Sequence, residues 1–417
     1  MAMTYEEMVE KINGLPSHEI SSARLITWEF VEKNPSDVRG HLQAAEVAER
    51  AGHIDEAVEW LDKAERVAPW NFWPYFHKAR IFQKNNNLNQ ALLQLRTAAS
   101  KCIGRVSQSE YDNIIGALSD VRSLIAQPDP KALIATLAQP AKAGRPLANC
   151  VRLALVKDEE DVIYPNLQSS YLTGFRCFAI ADNGSTDDTR KEIDRFSRDH
   201  KDCVVYVVTD PIVGYYQSDK TMGLARLMRT VLTGIGVRTD WFFPLDADEF
   251  LCMASPGQDL KGLLRANSDK NLLTYYLCNC ASEDVYSQLP NAADFASLFP
   301  VVSTYHSHPV RKVAFRYKPD AFVVQGNHFC SNAVSREEEL LIGAECGLFL
   351  KHYPVRSVDQ MRKKVVNGGK ALAAYKGPPD VGAHWRRGYA DYLEKGEPYL
   401  VEKVAEHNAV TKAQARN

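Results

Sequence analysis

No stretch of the 417-residue chain holds the roughly 18 consecutive apolar residues that would cross a membrane, so no spanning helix is expected. Met1 to Leu15 carries Glu6, Glu7 and Glu10 and lacks an apolar core, so no signal peptide is read there. Neither sign of charge prevails: 50 Lys plus Arg stand against 52 Asp plus Glu, which leaves no global field to draw nucleic acid or an anionic membrane. Local basic patches are still allowed. The nine cysteines include no C-x-x-C repeat, and an odd number in a chain of this size fits reduced thiols better than a disulfide framework. Cys278-Asn279-Cys280 is the one close pair and reads as two positions of a strand. Together these absences lead us to expect a cytoplasmic protein, with peripheral contact at the inner membrane face left open.

The length calls for two or three domains, and the first hundred residues differ in kind from the rest. The chain repeats every 34 positions: Ala45 pairs with Ala79, Ala57 with Ala91, Leu61 with Leu95 and Ala64 with Ala98. Ala23 and Pro35 extend the match 34 residues upstream of Ala57 and Pro69. Small residues at fixed offsets let paired helices approach closely, and the pattern resembles the tetratricopeptide repeat. Gly52-His53-Ile54-Asp55 and Asn85 to Asn89 supply the turns, and a helix around Glu110 to Ile125 can cap the stack. Trp60, Trp70, Phe72, Trp73, Tyr75 and Phe76 crowd one region. They either line a groove for a protein partner, or for self-association, or fill the inter-helix core; the habit of aromatics favours the core. We place the helical repeat domain at 1–126, a linker punctuated by Gln127-Pro128-Asp129-Pro130 and Ala143-Gly144-Arg145-Pro146 at 127–147, a second domain at 148–400 and a tail at 401–417.

In the second domain, short apolar runs alternate with helix-compatible stretches. Val151 to Val156 ends in Lys157-Asp158-Glu159-Glu160, and Arg176 to Ala181 ends in Asp182-Asn183-Gly184-Ser185-Thr186-Asp187-Asp188. Residues 159–174 and 187–198 fit helices, the second with Ser185 or Thr186 as N-cap. Val204 to Val208 is a third strand, followed by a helix over Lys220 to Ile235. Such alternation argues for an α/β fold with a mostly parallel sheet, whose ligands bind beyond the carboxyl ends of the strands.

The run Trp241-Phe242-Phe243-Pro244-Leu245 reads as a buried strand that stops at Asp246-Ala247-Asp248-Glu249. If it stays extended, Asp246 and Asp248 share one side and suit a common hard cation, Mn2+ or Mg2+, that grips a diphosphate. Taken alone the triplet reads sooner as a solvated acidic turn; the other acidic strand ends tip the reading.

The series Lys157-Asp158-Glu159, Asp182 to Asp187 and Asp246-Ala247-Asp248-Glu249-Phe250, with His352-Tyr353-Pro354-Val355-Arg356-Ser357, Met361 to Val365 and Gly368-Gly369, resembles the family 2-like glycosyltransferases of GT-A (Rossmann-like) fold, in the family 92-like branch. The resemblance covers residues 148–376. It implies that Glu159 and Asp182 contact the nucleoside of an activated sugar, and that Asp246 and Asp248 bind its ribose and diphosphate through a divalent metal. His352 would complete the metal shell. Arg311 and Lys312 match basic positions near donor or acceptor. Position 158 departs from the usual Asn-Glu pair.

Inverting transfer needs a base for the acceptor hydroxyl. The candidates are Glu283 and Asp284, just after a strand over Leu272 to Leu277, together with Glu249 and Glu345; the first pair is equally a solvated loop. His306, His308, His328, His352 and His384 also lie in this half, and a neutral imidazole suits Mn2+ better than Mg2+. Ser357 and Gln360 have the spacing of a capping box, and the helix they open, with Arg356 beside it, offers a place for the diphosphate. Lys363 and Lys364 add attraction there or form an exposed basic face.

A nucleotidyltransferase should carry a glycine-rich basic loop after its first strand, where Lys157-Asp158-Glu159 stands instead. The expectation is a metal-dependent glycosyltransferase moving a sugar from a nucleotide-diphosphate sugar to a hydroxyl of a surface polysaccharide or lipopolysaccharide glycan, with inversion. The alternative is a non-catalytic adaptor that binds partners through its repeats.

Overall fold

The computed structural model describes residues 3–103, 105–126, 144–212, 216–253, 258–290, 294–303, 310–375 and 382–415, with the side chains of Ala148 and His384 left aside. Most of the linker segment, and His306 and His308, lie outside these residues. The chain divides into two compact units, Met1–Ile125 and Ala126–Asn417.

Among its described residues the first unit has seven helices: α1 (Tyr5–Asn13), α2 (Ile20–Lys33), α3 (Val38–Arg50), α4 (Ile54–Val67), α5 (Trp73–Lys84), α6 (Leu88–Cys102) and α7 (Gln108–Ile125). Helices α2, α4 and α6 begin at Ile20, Ile54 and Leu88, 34 residues apart each time (54 − 20 and 88 − 54). Every alanine and leucine of the sequence repeat is buried, Ala57, Ala64, Ala91 and Ala98 completely, because a larger side chain at those positions would hold the helices apart. Gly52 (φ +80°) and Asn86 (φ +56°) take the left-handed turn at equivalent places, a conformation that glycine adopts freely and asparagine better than most. The aromatic cluster divides: Trp60 and Phe72 are buried, while Trp70 and Trp73 are exposed.

The second unit is built on β1 (Leu147–Val156), α8 (Ile163–Thr173), β2 (Phe175–Asp182), α9 (Thr189–Asp199), β3 (Val204–Thr209), α10 (Gln217–Gly234), β4 (Trp241–Pro244), β5 (Glu249–Met253), α11 (Leu260–Ala266) and β6 (Leu272–Ala281). Then come β7 (Val301–Val302), β8 (Arg311–Arg316), β9 (Phe322–Val323), β10 (Cys330–Ser331), β11 (Leu340–Ile342), α12 (Gly343–Cys346), β12 (Leu348–His352), α13 (Val358–Ala373), α14 (Ala383–Lys395) and α15 (Glu397–Gln414). Among the described residues, one sheet runs β3-β2-β1-β4-β8-β6-β12-β5, with β7 and β11 also on β6.

The first half of this sheet is parallel, as the alternating sequence pattern implies: β3, β2, β1 and β4 all run one way. The second half is not, since β8 lies antiparallel to both β4 and β6, and β5 antiparallel to β12. The sheet is therefore mixed, a correction to the mostly parallel expectation. β8 reaches β4 across more than sixty residues of chain, a pairing that local periodicity does not encode. Residues 401–414, read in sequence as a tail, continue α15, which buries Leu400, Val404 and Thr411. Among the described residues no helix is long and apolar enough to cross a membrane.

Candidate active site

The aromatic strand β4 ends at Pro244, and the backbone turns at residues 247–248 before β5 begins. Asp246 and Asp248 are therefore not neighbours on one face of a continuing strand. The turn separates them. Asp246 accepts from Gln217 Nε2 at 3.1 Å and Asn327 Nδ2 at 3.4 Å, and pairs with Lys312 Nζ at 2.9 Å. Asp248 instead pairs with Lys364 Nζ at 3.0 Å, with His352 Nε2 3.7 Å away.

Strand register gathers the second group. His352 stands opposite Asn279 of β6 on one side and opposite Glu249 of β5 on the other. Residues in register on adjacent strands share a face at about 5 Å, so three polar side chains form one row across the sheet. Potential ligand atoms of Asp248, Glu249 and His352 lie within 4.8 Å of one another.

The turn is held from beneath by a buried cation. Arg152, fully buried in the middle of β1, donates to Asn166 Oδ1 and, at 3.4 Å, to the carbonyl of Asp246. Asn166 donates in turn to the carbonyl of Glu249 at 2.7 Å. Burial lowers the Arg152 pKa to about 10, while Asp246 and Glu249 work to keep its charge. Lys312 is also buried; desolvation opposes its charge, but Asp246 and Glu249, at 2.9 and 2.7 Å, outweigh that and hold it protonated.

The carboxylates differ in state because their surroundings differ. Burial opposes ionisation of Asp248, yet the cations Lys364 and Arg356 hold it well below the ordinary carboxylate range. Burial raises Glu249, with Lys312 opposing, and raises Glu159, with Arg356 opposing. Burial also keeps His352 neutral, its pKa lowered to about 3.

The acidic ends of β1 and β2 sit at the same edge. Asp182 is buried and its Oδ1 accepts from Ser185 N–H at 2.8 Å, which closes a turn and leaves Oδ2 without a partner among the described residues. Asp158 adopts φ +54° and accepts from Thr186 N–H and Asn367 Nδ2. Asp187, rather than Ser185 or Thr186, accepts from the first amide of α9.

Arg356 is not open to a diphosphate. It is fully buried, bidentate to Asp161 at 2.8 and 2.9 Å and bonded to Glu159 at 2.6 Å, so its charge is matched inside the protein. Ser357 caps α13 as expected, although Gln360 reaches the N–H of Arg356 rather than that of Ser357. Lys363 pairs with Glu160 and Asp187, and Lys364 with Asp248, so neither forms a free basic face.

The base candidates separate by position. Glu345 is exposed on α12, before the first residue of β12, and so at the opposite end of that strand from His352. Glu249 is buried between Lys312 and the Asp246 amide, tied on both oxygens. Glu283 and Asp284 are exposed on the loop after β6, at the same end as His352. Their backbone carbonyls accept from Lys412 and Asn408 of α15, and the same loop bonds the first amides of α13. His328 bonds the carbonyl of Arg311 and lies outside the Asp248 group.

A divalent ion fits these residues. With the amide oxygen of Asn279 2.8 Å from Nδ1, that nitrogen carries the imidazole hydrogen, and Nε2 turns a lone pair toward Asp248. Two electron-rich groups at 3.7 Å, flanked by the carboxylate of Glu249, form a nitrogen-and-oxygen donor set of the kind that holds divalent metal ions.

Sequence reading missed Arg152, Asn166, Gln217, Asn279 and Asn327. Arg152 alone carried a signal, as the only charged residue of an apolar strand.

No family model and no curated protein matches the chain. Among solved structures, a Pyrobaculum calidifontis mannosyltransferase in complex with GDP-Man and Mn2+ is 15% identical, covers 72% of this chain and 86% of its own, and gives a TM-score of 0.26. A mutant Thermobaculum terrenum O-GlcNAc transferase is 13% identical over 55% of this chain, at a TM-score of 0.25; the match spans only 45% of that protein. A Yersinia enterocolitica type III secretion chaperone in complex with a translocator peptide is 16% identical over 28% of this chain and 91% of its own, at 0.26. Likenesses this slight do not establish a shared fold and carry no argument about function.

Proposed function

We propose that the Ala126–Asn417 unit is a metal-dependent glycosyltransferase that moves a sugar from a nucleotide-diphosphate sugar to a hydroxyl acceptor with inversion. The observation that carries this reading is the neutral imidazole of His352 turned toward Asp248 beside Glu249, at an edge where the acidic ends of β1 and β2 also gather. Asp248, Glu249 and His352 would hold the ion, which supplies positive charge against a leaving diphosphate.

The remaining roles belong to the chain's own groups. Asp182, with Oδ2 available, accepts hydroxyl or base hydrogens of the nucleoside. Asp246 takes ribose or phosphate-proximal hydrogens from a position fixed by Gln217, Asn327 and Lys312. Lys312 and Lys364 hold positive charge at the donor site without needing to reorganise. Glu283 or Asp284 removes the acceptor proton from the open side of the site. A surface glycan as acceptor follows from the sequence resemblance.

The test is a screen of nucleotide sugars for Mn2+-dependent hydrolysis and thermal stabilisation of the full chain. A positive donor whose effect vanishes with Asp248→Ala supports the reading. A chain that neither hydrolyses nor is stabilised by any of them is not a transferase of this class and fits the adaptor alternative.

A further inference from the structure

A polar cavity lies at the other end of β4 from the acidic turn. It has a volume of about 470 Å³ and is lined by Arg229, Arg238, Arg316, Thr239, Asp240 and Tyr317, among others. From Asp240 to Asp246 the chain runs roughly 20 Å, so the cavity is separate from the candidate active site.

Three arginines face one carboxylate here, and that carboxylate is already matched. Asp240 accepts from Arg238 Nε at 2.8 Å and from Asn149 Nδ2 at 2.6 Å. Arg316 holds the carbonyls of Lys270 and Ser268 and lies 5.0 Å from the Trp241 ring, which leaves Nη1 uncommitted. Arg229 stacks on the Tyr317 ring at 4.5 Å and makes no hydrogen bond among the described residues. The C-terminus of α10 turns its carbonyls to this region, which accounts for one arginine but not three.

Thr239, 8% exposed, forms part of the cavity wall, but its hydroxyl, like the indole Nε1 of the nearby buried Trp241, has almost no accessible surface and does not face the cavity. The guanidinium donors of Arg229 and Arg316 that no described residue uses are what the lining offers a ligand. We infer that this cavity binds a phosphate group, free or carried on a small molecule. Guanidinium forks match phosphate oxygens in pairs.

The test is isothermal titration of the full chain in EDTA, with inorganic phosphate in one arm and a hexose phosphate in the other, each against chloride at matched ionic strength. Saturable binding is expected in at least one arm, and the arm that binds more tightly identifies the source. Arg229→Ala with Arg238→Ala, both at exposed positions, should weaken it roughly tenfold or more with an unchanged far-UV spectrum. Thr239→Val, which alters a hydroxyl that does not face the cavity, and Asp248→Ala should both leave it intact. Absence of binding in both arms, an unaffected double variant, or loss in Asp248→Ala overturns the inference without touching the transferase reading.

Discussion

The Nε2 atom of His352 stands 3.7 Å from Oδ2 of Asp248, and its ring is fixed from the far side by Asn279 at 2.8 Å. Burial keeps the imidazole neutral, while the cations Lys364 and Arg356 keep the carboxylate ionised. An uncharged ring nitrogen and a carboxylate, each presenting lone pairs, are held together by the surrounding sheet in an arrangement that a cation would stabilise.

In the proposed metal site, Asn279 would act as a positioning residue. Asn279→Leu should weaken Mn2+ binding ~10–100-fold by freeing the ring to rotate or change tautomer, with little change in the far-UV spectrum. Mn2+ titration of the variant checks this. Unchanged affinity would mean that the ring is oriented by something else.

Arg356 neutralises Glu159 and Asp161 from a fully buried position. Arg356→Met should cost about 3–5 kcal/mol in urea denaturation, because two carboxylates are left without their partner. Adding Asp161→Asn should recover part of the loss. Failure to recover would mean that packing, not charge, is what the arginine supplies.

Gly369 lets α13 approach α14 closely: a Cβ there would lie 2.4 Å from Cγ of Tyr389. Gly369→Ala should cost about 1–3 kcal/mol in urea denaturation. Gly368, where the added carbon would meet Trp385 at 3.2 Å, should tolerate alanine better.

Asp158 gives a pH signature. Burial alone would raise its carboxyl, but hydrogen bonds from Thr186 and Asn367 outweigh this and lower it. A depressed folded pKa means that the stabilisation is present above the unfolded value near 3.9 and is lost as pH falls through the folded value. Asp158→Asn should thus cost about 1 kcal/mol at neutral pH, with the gap to the parent closing as pH falls below ~4. Parallel stability curves across that range would contradict it.

Much of this was legible in one dimension. The helix starts 34 residues apart follow the alanine repeat, and β1, β2, β3 and β4 fall on the apolar runs. Acidic residues that end such runs are visible because charge interrupts hydrophobicity. What was hidden depends on distant pairing. Nothing local says that β8 inserts antiparallel between β4 and β6, bringing Lys312 beneath Asp246. The register that sets Asn279, His352 and Glu249 in a row joins strands up to a hundred residues apart. Gln217 and Asn327 look like ordinary polar residues until the fold aims both at Asp246. Arg356 misled for the opposite reason, since an arginine before a helix start suggests an open anion site and here serves two partly buried carboxylates.

The central claim is that Asp248, with His352 and Glu249, grips a divalent ion that recruits a nucleoside diphosphate. The most direct measurement counts free Mn2+ by electron paramagnetic resonance as the full chain is titrated, with and without UDP or GDP. The account predicts a single bound ion, tighter with one of the nucleotides, lost in Asp248→Ala and weakened in His352→Ala. A chain that binds no ion, or binds it equally well after Asp248→Ala, would contradict it.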